Sequence, residues 1–574
     1  MGSDGVKALL AKISSSAMFA RSRRLQRFLS FVTEWTLEHP GEPLKEYAIA
    51  LAVYDKPSSF DPQADPIIRV EASRLRSRLR EYYAGPGRDD EIVLELPKGS
   101  YTPLIRTRAQ QRPAAQSPSI AVIPWVDRPD EDLLYVVLGM CESITRRLAH
   151  IPNVRVAPWT MVARLRSPEE DPVRTSEELA VKTLLILRLI RRGENCEVRA
   201  EWIDPQQKTH LWGARHDRKL QELPYLEDEI TVDVAQRIAP HLTKAELAEV
   251  RKQYTTNGRA YEFYLKGRHL WNKRTVDAIS NAIRHYERAL EYDPGFALGF
   301  AGIADCYLNL ATFTFVSPRD SMPRAKAAVT RALQIDPNLG EARATLACIR
   351  ALYDWDWDEA EREFERALSS APEYAVGRQW HGAALCARGR FSAGQRELRA
   401  ALQLDPLSPM TGTQLAVGYY LERRYDDALR ECRAVLELDP HFWAAWHFLG
   451  LCDLTSGRAE EAISHLRQAV HLSGDAPFSS ASLGHALGVS GDARAAGEVM
   501  SALENRSESE YVPPYSLALI CCGIGHESKA LEYLACAVEE RSPAVALWFR
   551  GEPRLDPLRG HTSFERLLQT AGLA

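Results

Sequence analysis

Long apolar runs are missing from this 574-residue sequence. A membrane helix needs about 18–20 consecutive apolar residues, and the longest candidates, Leu133–Met140 and Leu184–Leu187, are strand-sized or half-helix-sized. No cationic stretch followed by an apolar one opens the chain, so no signal peptide is expected. Cysteine is sparse: the ten form no CxxC spacing and no Cys/His cluster of zinc type. Buried, reduced thiols in a cytoplasmic protein are the expectation. An excess of positive charge is missing too. The net charge of −5 leaves no chain-wide basic footprint, so any nucleic-acid site must be local. Gly-rich phosphate loops, GxSxG, HExxH and paired metal carboxylates are absent. A non-enzymatic chain without catalytic residues, cofactor or metal is expected. Gly85-Pro86-Gly87 reads as a helix stop, and His210 and His216 as surface residues flanking a strand.

What is present is a globular composition, 45% hydrophobic, long enough for three or more domains. Half of the chain repeats. The pattern Ala360-x3-Phe364-x2-Ala367-x4-Pro372 recurs, its small residue falling at Ala282, Ala325, Ala360, Gly394, Ala428, Ala462, Ala496 and Ala530. The spacings are 43, 35 and then 34 five times. Turn residues such as Gly389-Arg390 and Gly457-Arg458 precede each second helix, and Pro294, Pro337, Pro372, Pro406 and Pro440 close the first five units. Proline fits there because it cannot continue a helix. The spacing of 43 implies a nine-residue insertion around Thr312–Pro323. This period and these positions resemble the tetratricopeptide repeat, TPR, over about 260–545. The resemblance implies an α-solenoid whose concave face takes a protein or peptide. Trp355, Trp357, Trp380 and Trp443 are either groove residues or interhelix core, the latter being favoured. The segment after the last unit, with Pro543, Trp548, Pro553 and Phe564–Leu568, reads as a C-terminal cap.

The first hundred residues follow other rules. Leu25, Phe28, Leu29, Val32 and Trp35 share one helix face, ended by Pro40-Gly41; Lys45–Val53 is a second helix. Ile68, Ala72, Leu75, Leu79 and Tyr82 form the stripe of a third. A strand at Ile92–Leu96, a turn at Pro97–Ser100 and a return strand at Tyr101–Ile105 complete the order of a winged helix-turn-helix. On the third helix Arg69, Arg74, Arg76, Arg78 and Arg80 lie off the apolar stripe, opposed by Glu71 and Glu81. Guanidinium forks on such a helix suit phosphate or guanine in the major groove of double-stranded DNA. Lys98 at the hairpin tip is placed for backbone contact, and Arg21, Arg23, Arg24 and Arg27 are further phosphate candidates. Residues 20–108 carry 15 Lys/Arg and 13 Asp/Glu, so the argument rests on placement rather than on total charge. Asp65–Leu79 is similar to the recognition helix of the OmpR-type winged-helix family, and Leu96–Tyr101 to its wing. That likeness implies that Arg74 reaches a base, Val70 a thymine methyl and Arg76 a phosphate.

Between these parts, Gln110–Pro118 is a Pro/Ala/Ser-rich linker. Strands are expected at Ser119–Pro124, Val154–Pro158, Leu184–Ile190, Cys196–Ile203 and Thr209–Arg218, and helices at Glu131–His150, Thr175–Val181 and Leu223–Leu242. Ser119–Pro124, Arg155–Pro158 and His210–Gly213 resemble the TolB-like α/β domain of bacterial regulators. The expected chain is multidomain and mainly α: winged helix-turn-helix over 21–108, linker 109–118, TolB-like α/β domain 119–245, TPR solenoid of about eight helix pairs 257–545, and cap 546–574. This order resembles a family of bacterial cytoplasmic transcriptional regulators. The partners implied are DNA at the front and protein or peptide at the back, with no membrane; a homodimer is left open. The rival expectation is a TPR assembly scaffold whose winged helix is a protein-docking module. A third is a small-molecule sensor built on the α/β domain.

Overall fold

A computed structural model describes residues 3–16, 19, 22–38, 44, 46–57, 60, 65, 67–87, 90, 92–96, 101–107, 118–125, 131–165, 170–192, 195–273 and 275–573. They divide into two units, Met1–Ser117 and Pro118–Ala574. Among the described residues no helix is long and apolar enough to cross a membrane.

The first unit contains α1 (Ser3–Ser15), α2 (Arg23–Glu38), α3 (Glu46–Tyr54), α4 (Ile67–Ala84) and an antiparallel hairpin of β1 (Ile92–Glu95) and β2 (Leu104–Thr107). Its core gathers Phe28, Leu29 and Val32 from α2, Ile49 and Val53 from α3, and Ile68, Ala72, Leu75, Leu79 and Tyr82 from α4. Helix α1 lies before the expected start of this domain. It adds Val6, Leu9, Leu10 and Ile13 to the same core, an i, i+3, i+4, i+7 stripe. Strand β2 begins three residues later than expected, directly after Pro103, whose missing N–H cannot join a ladder. The expected turn Pro97–Ser100, the helix stop Pro40-Gly41 and nearly all of the linker lie outside the described residues.

The second unit begins with a five-stranded mixed sheet of order β4-β3-β5-β6-β7. The strands are β3 (Ser119–Trp125), β4 (Arg155–Val156), β5 (Thr183–Arg192), β6 (Asn195–Asp204) and β7 (Thr209–Lys219). β3 runs parallel to β4 and β5, while β5, β6 and β7 are antiparallel. Ile120 and Val122 are buried on one face with Val136, Met140 and Ile144 of α5 (Glu131–Leu148) and Ile230 and Val234 of α8 (Leu223–Ile238). Ala121 and Ile123 are buried on the other, with Met161 of α6 (Trp159–Val162) and Leu179, which follows α7 (Pro172–Glu178). Burial of both faces is why β3 reads as a continuous apolar run. Helix α8 stops before Pro240, shorter than expected, and α9 (Lys244–Val250) restarts on a Thr243/Glu246 capping box.

Eight helix pairs follow: α10/α11 (Gly258–Asn272, Val276–Tyr292), α12/α13 (Ala297–Thr312, Pro318–Ile335), α14/α15 (Gly340–Ile349, Trp357–Ser370) and α16/α17 (Ala375–Ala387, Phe391–Leu404). Then come α18/α19 (Pro409–Leu421, Tyr425–Leu438), α20/α21 (Trp443–Thr455, Ala459–Leu472), α22/α23 (Pro477–Val489, Ala493–Arg506) and α24/α25 (Pro514–Gly523, Glu527–Glu539). Ala282, Ala325, Ala360, Ala428, Ala462, Ala496 and Ala530, the recurring small residues, are all buried. At the fourth such position a Cβ on Gly394 would stand 2.6 Å from the Gly382 carbonyl oxygen, so α16 and α17 meet backbone to backbone. The expected insertion is spread between the longer helices α12 and α13 and the turn joining them.

The sheet and the repeats share one core. Arg147 of α5, 5% exposed, donates to the Val250 carbonyl at 2.7 Å and to Glu227 of α8 at 3.3 Å. Glu227 also accepts from Ser143 and from Tyr261 of α10. Lys252 pairs with Asp336 at 2.8 Å.

Candidate nucleic-acid and partner surfaces

Helix α4 turns its apolar stripe inward, which leaves Val70, Ser73, Arg74 and Ser77 on the opposite side at i, i+3, i+4, i+7. Val70 is 45% exposed, unusual for a β-branched apolar side chain. Arg74 is exposed and pairs with Glu71 at 2.6 Å; Arg78 is exposed and pairs with Glu81 at 2.9 Å. Arg69, also exposed, reaches Glu46 of α3 at 3.3 Å. Arg76 differs from the rest. It is half-buried, and its Nε donates to the Leu96 carbonyl at 3.0 Å, bracing the hairpin on the helix. The backbone of Arg80 continues the helix, its side chain being outside the description, and Lys98 lies outside the described residues. Of the α2 arginines, Arg27 bonds Asp55 at 3.1 Å and lines, with Arg23, an open cleft of about 560 Å³. Arg21 lies outside the described residues. Glu71 and Glu81, the acids expected to oppose these arginines, each engage one guanidinium group, and Glu46 of α3, which the sequence did not point to, engages a third.

The inner face of the repeats is built differently. Residues 543–573 form α26 (Pro543–Trp548), a 3₁₀ turn (Pro553–Leu558) and α27 (Thr562–Thr570). They cover the last pair, as a cap would, since α24 touches the 3₁₀ turn and α25 touches α27. They also run inside. Helix α26, six residues and therefore about 9 Å long, touches α12, the π turn Arg350–Asp354 after α14, α16 and α25. One short helix can reach the second, third, fourth and eighth pairs only where a curved stack converges, on its concave side. Trp548 packs against Phe448 and Phe478 of α20 and α22, centroids 5.6 and 6.2 Å away. Trp357 donates to the Ala571 carbonyl at 3.1 Å, and the Arg541 guanidinium lies 5.0 Å from the Trp355 ring. Trp380 is partly buried against the core, and Trp443 packs edge-on against His447.

At the centre of this segment stand Glu552 and Arg554, 0% and 4% exposed. Arg554 Nη2 meets Glu552 Oε2 at 2.8 Å, Tyr420 of α18 donates to Glu552 Oε1 at 2.7 Å, and Arg554 Nη1 donates to Ser482 Oγ of α22 at 2.7 Å. Burial alone would raise the Glu552 carboxyl, but the charge and hydrogen bonds of Arg554, with that of Tyr420, hold it at about 2. His447 and His485 lie close by. Burial, seconded by the Arg554 charge, lowers both to about 3, so both rings are neutral. None of these residues was singled out from the sequence. The available signal was Glu552-Pro553-Arg554 between apolar neighbours, and a helix, α22, with serine and histidine on its buried side. Nine of the ten cysteines are buried and Cys536 is exposed.

A tetratricopeptide-repeat family model matches residues 419–480, from α18 into α22, and the helix pairs are repeats of that kind. Over 233 residues the chain is 26% identical to putative adenylate cyclase 3 of Rhizobium meliloti (strain 1021), covering 40% of each chain. Over 168 residues it is 25% identical to the transcriptional regulator HilA of Salmonella typhimurium, covering 29% of this chain and 30% of that one. The chain therefore spans less than half the length of these curated relatives. Among solved structures, the human IFIT1 dimer with m7Gppp-AAAA is similar at 14% identity, over 56% of this chain and 89% of that one, with a TM-score of 0.40. YrrB, a TPR protein with an unusual peptide-binding site, is similar at 21% identity, over 33% and 93%, with a TM-score of 0.24.

Proposed function

We propose that this chain is a cytoplasmic transcriptional regulator, without enzymatic activity, that binds double-stranded DNA through α4 and a protein or peptide partner through its repeats. In this reading the first unit is an OmpR-type winged helix-turn-helix and the sheet a TolB-like domain coupling it to the solenoid. One observation carries it: the outward strip of α4 exposes Val70 and Arg74, flanked by Arg69 and Arg78, while the opposite side of the helix is core. The partial similarity to a transcriptional regulator supports the same class. Phosphate competes well for these arginines, because exposed ion pairs on one helix are worth only about 0–1 kcal/mol.

The acid partners of those arginines favour a second reading, in which the unit docks on another protein and the repeats act as a scaffold. Gel shift with randomised duplex DNA, followed by salt titration, separates the two. A DNA-binding unit shows log K falling with log[salt] by about 0.9 per phosphate neutralised. If Arg74, Arg76 and Arg78 can all become Ala with DNA affinity unchanged, α4 is not the reading helix.

A further inference from the structure

We propose that the concave face of the repeats is a binding site for an extended segment carrying an aromatic anchor followed by a Glu-x-Arg pair, and that residues 543–573 are its resident ligand. This rests on the reading of the repeats as a protein- or peptide-binding solenoid and names the chemistry that their inner face selects.

Stacked pairs bury one another through small and aliphatic groups, such as Ala428, Leu429 and Cys432 in α19 or Ala462, Leu466 and Ala469 in α21. The inner face gathers polar groups around one buried ion pair. Tyr420, His447, Ser482, His485 and Tyr515 all lie near the Glu552/Arg554 pair, and none is more than 6% exposed. A face whose only task was to exclude water would be apolar, since a buried polar group costs free energy unless it is bonded. Two of the five spend their hydroxyls on the segment, Tyr420 on Glu552 and Ser482 on Arg554. Three keep a buried polar atom without a protein partner: His447 Nδ1, His485 Nδ1 and Tyr515 Oη. The bonds from Tyr420 and to Ser482 make this a surface that reads the polar chemistry of whatever lies against it.

The segment matches it as a ligand would. Glu552 and Arg554 pair with each other across Pro553, so the segment enters as a neutral, pre-formed unit with one bond left for each of two helices. Trp548 supplies the aromatic anchor in the Phe448/Phe478 pocket. Attachment to the last pair is a single turn at Glu540–Ser542, with Arg541 at φ +55°. A tether this short gives an effective concentration on the order of millimolar or above. A partner in trans therefore gains the groove only by presenting the same chemistry with higher affinity, or after the turn is loosened. Occupation in cis thereby sets the threshold for partner binding.

The test uses the full-length chain with a specific protease site inserted between Arg541 and Ser542. After cleavage, circular dichroism follows the repeats, and fluorescence anisotropy follows a labelled peptide of residues 543–574 added in trans. The repeats should stay helical once the cut segment dissociates on dilution. The labelled peptide should bind one per chain, and a peptide carrying Arg554→Ala should bind at least tenfold more weakly. Ser482→Ala and Tyr420→Phe in the cut chain should weaken wild-type peptide binding without loss of helicity. If the repeats lose helicity when the segment leaves, or if the Arg554→Ala peptide binds as well as the wild type, the segment is core rather than ligand and the inference is overturned. Because the probe is the chain's own sequence, failure to capture any other protein would count against the partner-binding reading while leaving this readout intact.

Discussion

On α4 the Arg74 side chain keeps 67% of its surface in solvent and meets a carboxylate three residues away on its own helix; inside the repeats the Arg554 side chain keeps 2% and meets a carboxylate with none exposed. The same ionic chemistry has opposite consequences in the two places. Water screens the first pair, so separating it costs little and the guanidinium is available to a phosphate. The second has lost its water on both sides, and its worth lies in being complete: removing one member strands a charge where nothing else can solvate it. Exposed arginines therefore mark where a ligand can arrive, and the buried one marks where a ligand already sits.

The contrast breaks most visibly at Arg554. Arg554→Ala should destabilise the second unit by about 3–5 kcal/mol, the range for orphaning a buried ion. Replacing both partners, Glu552→Gln with Arg554→Met, should cost distinctly less. Urea denaturation of the three proteins decides this, and equal losses in the single and double variants would mean that the pair is not electrostatically coupled.

Acid sharpens the same point. His447 and His485 hold folded values of about 3 against 6.5 for the free side chain, so between those values the unfolded chain binds more protons. Their contribution is whole above pH 6.5 and drains away as pH falls toward 3. Glu552, held at about 2 against 4.5, loses its contribution over the lower part of the same descent. The Tm of the second unit should fall steadily from pH 6.5 to 4, and His447→Gln with His485→Gln should flatten that slope. A Tm independent of pH across this range would exclude two neutral buried imidazoles.

At the exposed end, Arg74→Ala should weaken DNA binding by about 1–3 kcal/mol if it reads a base. Arg76→Ala should act on stability first, because its Nε holds the Leu96 carbonyl. Gel shift and thermal melting on the same two variants separate the roles. A larger loss of DNA affinity from Arg76→Ala at unchanged Tm would reverse the assignment.

How far each region could be read from the sequence follows from its physics. The repeats announce themselves because each pair obeys the same packing constraint, so Ala428, Ala462 and Ala496 recur at equal intervals. Four turn glycines, Gly389, Gly457, Gly491 and Gly525, are legible for a backbone reason, each taking a positive φ. The α4 stripe is legible from periodicity, and so is α1, although the expectation began only at residue 21. The inner face is not legible. Its contacts join residues such as Tyr420 and Glu552, 132 positions apart, and no local period encodes them. Nor could α4's pattern say which arginines face solvent and which serve the hairpin, since that depends on where the Leu96 carbonyl falls.

The smallest expected effect concerns one of the three repeats that turn at a non-glycine residue of positive φ, Thr314, Trp355 and Arg423. Where Gly389, Gly457, Gly491 and Gly525 turn the chain with φ between 76° and 91°, the fifth pair uses Arg423 at φ 66°. A side chain in that region costs about 1–2 kcal/mol relative to glycine. Arg423 offsets this from its side chain, Nη2 meeting Asp556 of the inner segment at 2.8 Å. Both groups are more than a third exposed, which limits the pair to about 0–1 kcal/mol. Backbone relief and the lost ion pair therefore nearly cancel in Arg423→Gly, and its Tm should stay within a degree or two of the wild type. Arg423→Ala keeps the strain and loses the pair, so it should melt lower. Gly457→Ala meets no neighbour within 4 Å and reports the conformational cost alone, about 1–2 kcal/mol. If Arg423→Gly melts well below the wild type, with Arg423→Ala lower still, the Asp556 contact is worth more than a surface pair; if the two variants melt together, the left-handed backbone at Arg423 carries no strain for glycine to relieve.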